Sequence, residues 1–191
     1  MRKLATTLVS VTLLMTGVPA VAIEEPEFEI IRATTDYEIR RYAPFIVAEV
    51  DVEGDAGNRA FGILADYIFG NNGRGEKMEM TAPVVSAPAA GNDKTYTYAF
   101  VMEARYSLDT LPAPVDPRIR IVEKPARVMA ARQYSGRWSE KNYRLNEISL
   151  ISALTIDGFE TRSEPYLARY DSPFTPWFLR RNEVLIELDW Q

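Results

Sequence analysis

The sequence predicts an α+β domain in which two ββαββ halves form an eight-stranded, antiparallel-rich sheet or open barrel with two helices packed on it. Three observations predict it. The order strand, strand, helix, strand, strand occurs twice. The breaks recur at a near-constant offset: Pro44 and Pro125 are 81 residues apart, and Gly54 and Gly136 are 82 apart. A strap with three prolines, Leu111-Pro112-Ala113-Pro114-Val115-Asp116-Pro117, separates the halves, which run over about 28–106 and 118–190. Residue identity between the halves is low, so the repeat is one of pattern.

The first 22 residues stand outside this scheme. Arg2 and Lys3 open the chain, Leu4 to Met15 is an apolar run too short to span a bilayer, and Ala20-Val21-Ala22 fits a small-x-small cleavage site. We read residues 1–22 as a secretory signal peptide cut before Ile23. Residues 23–191 are then one domain of 169 residues, periplasmic or secreted, with no membrane span after cleavage and a monomer expected. Removing Arg2 and Lys3 takes the side-chain charge from −5 to −7. An acidic chain lacks the basic footprint that nucleic-acid binding needs.

In the first half, Phe28 to Ile31 is a short strand. Tyr37 to Tyr42 alternates until Pro44 breaks it. Phe45 to Val52 alternates again, with Ile46, Ala48, Val50 and Val52 on one face and Glu49 and Asp51 on the other, as in a half-buried hairpin arm. Asp55 is a candidate N-cap. Phe61, Leu64, Ala65 and Ile68 form the i, i+3, i+4, i+7 stripe of an amphipathic helix, and Gly70 suits its C′ position. A strand is predicted directly after the glycine-rich turn, with Met78, Met80, Ala82 and Val84 facing one way and Lys77, Glu79 and Thr81 the other. Pro88 to Asp93 is a turn, and Thr95 to Met102 is the next strand.

In the second half, Ile119 to Val122 and Arg127 to Tyr134 are strands separated by Pro125. Ser139 caps a helix from Glu140 to about Thr155, with Tyr143, Ile148, Ile151 and Leu154 facing inward, and Asp157-Gly158 closes it. Tyr166 to Tyr170 and Asn182 to Trp190 are the last strands.

Two absences limit the chemistry. The chain has no cysteine and no histidine. That excludes disulfides, Ser-His and Cys-His catalysis and the usual zinc sites. Gly70 to Met78 lacks the Gly-Lys-Ser/Thr spacing of a phosphate loop and follows a helix rather than a strand. Glu76 and Glu79 do not make an acid–base pair, and no Gly-x-Ser-x-Gly elbow occurs. No catalytic residue and no metal ligand is nominated.

Several segments carry a family resemblance: Tyr37-Glu38-Ile39-Arg40-Arg41-Tyr42, Phe61 to Asn71, Lys77-Met78-Glu79-Met80-Thr81-Ala82-Pro83-Val84, the Leu111-Pro112 strap, Tyr134-Ser135-Gly136, and Tyr170-Asp171-Ser172-Pro173 through Arg180-Arg181-Asn182-Glu183-Val184. In this order they resemble the SOUL heme-binding protein family over residues 37–188. The resemblance implies a pseudo-twofold distorted barrel of two ββαββ halves and binding of a small-molecule tetrapyrrole. Without histidine or cysteine, heme or another porphyrin would be held non-covalently in an apolar groove, with neither of those residues as axial ligand.

A heme binder needs apolar side chains for the faces of the plate and cations or amides for its propionates. The candidate groove residues are Phe61, Leu64, Ile68, Met78 and Met80 for the faces and Arg59 and Lys77 for the propionates, with Arg74 close by. Arg180 and Arg181, beside Phe174, Trp177 and Phe178, make an aromatic-basic cluster suited to a loop at the groove. The same stripes also suit a plain core. The alternatives are an enzyme that processes tetrapyrroles, for example by removing iron from heme, and a binder of another flat apolar molecule.

Overall fold

The computed structural model describes residues 23–54, 57–89 and 92–190. The signal-peptide reading, the Asp55 cap and part of the Pro88–Asp93 turn lie outside the described residues. Among the described residues there are nine strands and two α-helices: β1 (Phe28–Ala33), β2 (Glu38–Tyr42), β3 (Phe45–Glu53), α1 (Gly57–Ile68), β4 (Val84–Ala89), β5 (Asn92–Val101), β6 (Arg120–Lys124), β7 (Arg127–Tyr134), α2 (Glu140–Ile156), β8 (Tyr166–Arg169) and β9 (Asn182–Glu187). They form one sheet in the order β1-β2-β7-β9-β8-β4-β5-β3-β6. Every neighbouring pair is antiparallel.

The connectors dictate the shape of this sheet. Ala43 and Pro44 alone join β2 to β3, and Pro125 and Ala126 alone join β6 to β7. Yet the members of each pair stand six places apart in the strand order. Six strand spacings across a flat sheet span about 29 Å, whereas three residue steps reach about 11 Å. The sheet must therefore curl until its flanks meet, and it forms a half-barrel. Apart from β1, the strand order reverses when β2, β3, β4 and β5 are exchanged for β6, β7, β8 and β9.

Both faces of the sheet are used. On one, α1 packs against β3 and β5, and α2 against β7 and β9. Leu64, Tyr67 and Ile68 of α1 meet Ala48, Val50 and Phe100. Leu150 and Leu154 of α2 meet Ile39, Ala130, Val184 and Ile186. On the helix-free face, Tyr42, Met129, Ala131, Ala168 and Leu185 form one cluster, and Val47, Ala99 and Val101 another. Phe45 and Val85 touch both clusters. These side chains are buried without a covering helix because the sheet curls around them.

The helix ends follow from local chemistry. After α1, Gly70 takes a φ of +113°. Its N–H donates to Tyr67 O at 3.4 Å, and the Asn71 N–H donates to Asp66 O at 2.9 Å. This pair of bonds satisfies two orphan carbonyls and needs a residue without Cβ strain at position 70. At the start of α2, Ser139 Oγ accepts from the Asn142 N–H at 3.3 Å. The strap lies over the end of α1: Tyr67 donates to Pro112 O at 2.8 Å, and the Gly73 N–H to Ala113 O at 2.8 Å.

The structure corrects four expectations. The sheet has nine strands rather than eight, because β1 adds an edge beside β2. β2 and β3 do not form a hairpin. Each pairs elsewhere, and Glu49, expected in solvent, is buried on the concave face. Met78 to Pro83 is not a strand. Its backbone donors go to Ile68 O, to Glu103 Oε1 and to Glu24 O instead of a ladder, and Pro83 has none to give. Finally, α2 is turned about its axis relative to the expected stripe. Ile148 and Ile151 are exposed, while Glu147, Leu150 and Leu154 face inward. Glu147 tolerates this because Arg144 donates to both of its carboxylate oxygens, at 3.0 and 2.7 Å.

Candidate functional site

The two helices cover the flanks of the sheet and leave the centre bare. Neither α1 nor α2 has its main packing on β4 or β8, the middle strands. Period-2 alternation sends Val84 and Ser86 of β4, and Leu167 and Arg169 of β8, into that gap. A cleft of about 670 Å³ opens there. It is walled by Gly57, Asn58, Arg59 and Phe61 of α1 on one side, and by Trp138, Asp171 and Pro173 on the other. It continues as a second hollow of about 450 Å³ toward Tyr134, Tyr143 and Glu164, and the two share Tyr98, Trp138 and Arg169.

Trp138 is the anchor of the far wall. Its Nε1 donates to Asn182 Oδ1 at 2.8 Å, and Asn182 is fully buried. The Arg180 guanidinium lies 4.4 Å from the indole centroid and that of Arg169 5.3 Å from it. The β8–β9 connection, which contains a single 3₁₀ turn at Trp177–Leu179, continues this wall. Arg180 braces it by donating to Thr175 O at 2.8 Å and Pro173 O at 2.6 Å. The connection leaves Phe174, Trp177, Phe178 and Leu179 largely exposed. Arg137 lies over Trp177 at 5.8 Å. On the near wall Phe61 is 43% exposed and meets Phe100 edge-to-face at 5.2 Å. The cleft thus offers aromatic surface, arginines on its walls and floor, and a floor of mixed polarity from Val84, Ser86 and Leu167.

The residues nominated from sequence divide into three groups. Arg59 and Phe61 line the cleft, and Arg180 borders it through Trp138. Leu64, Ile68 and Met78 are buried against the sheet, and Met80 packs at the edge of the same cluster. Exposed Lys77 sits with the methionines beyond the C-terminal end of α1, whereas the cleft residues of α1 are at its N-terminal end. Arg181 is engaged elsewhere: it pairs with Glu25 at 2.9 Å and with Glu183 at 3.0 Å, and stacks on Tyr170 at 3.7 Å. Sequence reasoning passed over Trp138, Arg169 and Tyr98. The available signal was Trp138 itself, an aromatic residue between Gly136 and the capping Ser139.

Burial pushes the Tyr134 phenol up to about 12 and raises Tyr143 further. Among the described residues, Met78, Met102 and Met129 are buried in the packed clusters. No group of three or more carboxylates among the described residues converges to hold a metal ion.

A family model described as SOUL heme-binding protein matches residues 23–187. The chain is 29% identical over 164 residues to Heme-binding protein 2 of Homo sapiens, covering 77% of this chain and 79% of that one. It is 30% identical over 126 residues to Heme-binding protein 1 of Xenopus laevis, covering 63% and 65%. Among solved structures, the EcmrR C-terminal domain superposes with a TM-score of 0.64 at 10% identity, over 81% of this chain and 98% of that one. A hydrolase from Listeria innocua superposes with a TM-score of 0.56 at 10% identity, over 83% and 94%. At such identities these two describe the fold alone.

Proposed function

This chain belongs to the SOUL heme-binding protein family, and from that premise we propose that it binds heme or a related tetrapyrrole in the cleft between α1 and α2. The observation that carries the reading is the uncovered centre of the sheet. It makes a cavity of about 670 Å³, within the range of small-molecule sites, and aromatic and cationic side chains converge on it. Phe61 and Trp138 would meet the faces of the macrocycle, and Arg59 and Arg169 its propionates. When bound, heme would supply iron chemistry. The protein's part is to hold the plate, orient its carboxylates and exclude water from its faces.

The grip is apolar and needs no strong bond to iron. The absence of histidine and cysteine, together with the raised tyrosines, supports that reading. The protein is a carrier or sink rather than an enzyme, and a monomer. It is exported, with residues 1–22 removed, and acts in the periplasm or outside the cell. This location rests on Arg2 and Lys3, the apolar run and Ala20-Val21-Ala22.

Titration of residues 23–191 with hemin and with metal-free porphyrin, followed by absorbance, tests this function. Both are expected to bind, with affinities within about tenfold of each other, because iron contributes little. Binding of hemin alone would show iron ligation, and binding of neither would end the reading. A slow rise of the metal-free spectrum in the hemin sample would reveal an iron-removing activity instead.

A further inference from the structure

The concave, helix-free face of the sheet holds a second cavity, of about 480 Å³, on the side opposite the cleft. Its walls are apolar: Val47, Val85, Ala99, Met129 and Leu185 point into it. At one end Glu49 and Asp51 are matched by Arg120 and Lys124 at 2.8–3.1 Å. At the other end the hydroxyl of Tyr170 donates to Glu183 at 2.8 Å.

Arg127 is the exception in this otherwise satisfied trough. It projects from β7 between the ring of Phe45 on β3, at 5.3 Å, and that of Tyr166 on β8, at 5.9 Å. Its side chain is 15% exposed, and its ion pair with Glu187 is stretched to 3.9 Å. Its Nε is buried with no hydrogen-bond partner among the described residues. A buried guanidinium donor without an acceptor is costly, and the flanking rings offset only part of that cost. Arg120 and Lys124 are matched at close range by Glu49 and Asp51, so Arg127, with only its 3.9 Å pair to Glu187, is the least satisfied charge lining the cavity.

We propose that this trough is a second ligand site, for a small monocarboxylate with an apolar body such as a medium-chain alkyl carboxylate. Its carboxylate engages the Arg127 guanidinium, and its chain lies along Val47, Val85, Ala99 and Met129. The site takes an anion because its least satisfied group is a cation, and an amphipathic one because the remaining walls are greasy. It is separate from the cleft and does not depend on the tetrapyrrole reading.

Calorimetric titration of the purified protein with decanoate tests the proposal, with decyltrimethylammonium as the cation of equal chain length. Saturable binding of decanoate but not of the cation is expected. Arg127→Met should weaken it about tenfold or more, the worth of a charge-assisted hydrogen bond. Ala87→Phe, which fills the trough while keeping Arg127, should weaken it as much, with circular dichroism unchanged. If Arg127→Met fails to fold, Ala87→Phe carries the test alone. Hemin binding should be unaffected by decanoate and by Ala87→Phe. Absence of saturable decanoate binding, equal binding of the cation, indifference to Ala87→Phe, or displacement of hemin by decanoate would each overturn the proposal.

Discussion

At the residue scale, the most constrained group is Glu183. It is fully buried, yet it accepts from Arg40 at 2.7 and 3.0 Å, from Arg181 at 3.0 Å and from the Tyr170 hydroxyl at 2.8 Å. Burial alone would raise its carboxyl; the hydrogen bonds and charge of Arg40, then the charge of Arg181, overcome this and hold it below the usual value of 4.5. A depressed carboxylate stabilises the fold above its unfolded pKa, and that contribution is lost as pH falls through its folded one. Glu183→Gln should therefore cost about 3 kcal/mol at pH 7, the low end for a broken buried pair, because Arg40 loses one carboxylate but keeps Glu38 at 2.7 Å. Urea unfolding is the measure, and the gap from the parent should close as the pH drops below about 4.5. A Glu183→Leu, Arg40→Met double variant should lose less than the single one. In the cleft, Phe61→Ala should weaken hemin binding roughly tenfold while leaving the unfolding midpoint nearly unchanged, since Phe61 is half in solvent.

At the element scale, α1 does two jobs with different residues. Its N-terminal end faces the cleft through Arg59 and Phe61, and its middle and end are buried through Leu64, Tyr67 and Ile68. Leu64→Ala should cost about 2–5 kcal/mol in stability, with hemin affinity per folded molecule unchanged. A large loss of affinity in a fully folded Leu64 variant would make this side chain part of the groove. Gly70→Ala should cost about 1–2 kcal/mol, because φ is +113° there. Chemical denaturation would detect both. The phase of α2 departs from its expected stripe for a physical reason. Leu145, Ile148 and Ile156 give its outer face an apolar content that rivals the inner one, and Glu147 is acceptable inside only because Arg144 meets it.

At the whole-molecule scale, curvature separates the two cavities. Ala43-Pro44 and Pro125-Ala126 bring the flanks together, and the clusters on the concave face hold them there. If packing rather than the short links maintains the curl, two glycines inserted after Pro44 should cost only about 0.6 kcal/mol of loop entropy. Loss of cooperative unfolding in that variant would show that the connectors impose the shape. Local patterns determined by the sequence alone include the alternating strands, the Ser139 cap, the Gly70 terminus, the two proline breaks and the motifs of the SOUL family, because each depends on residues a few positions apart. Tertiary structure alone decided that β2 pairs with β7 and β3 with β5 and β6. It also decided that Leu64, Ile68 and Met78 go to the core and that Trp138 stands across a cleft from Phe61. Those outcomes depend on which distant strands meet and how far the sheet curls. An apolar stripe specifies that a face will be buried but carries no information about what will bury it.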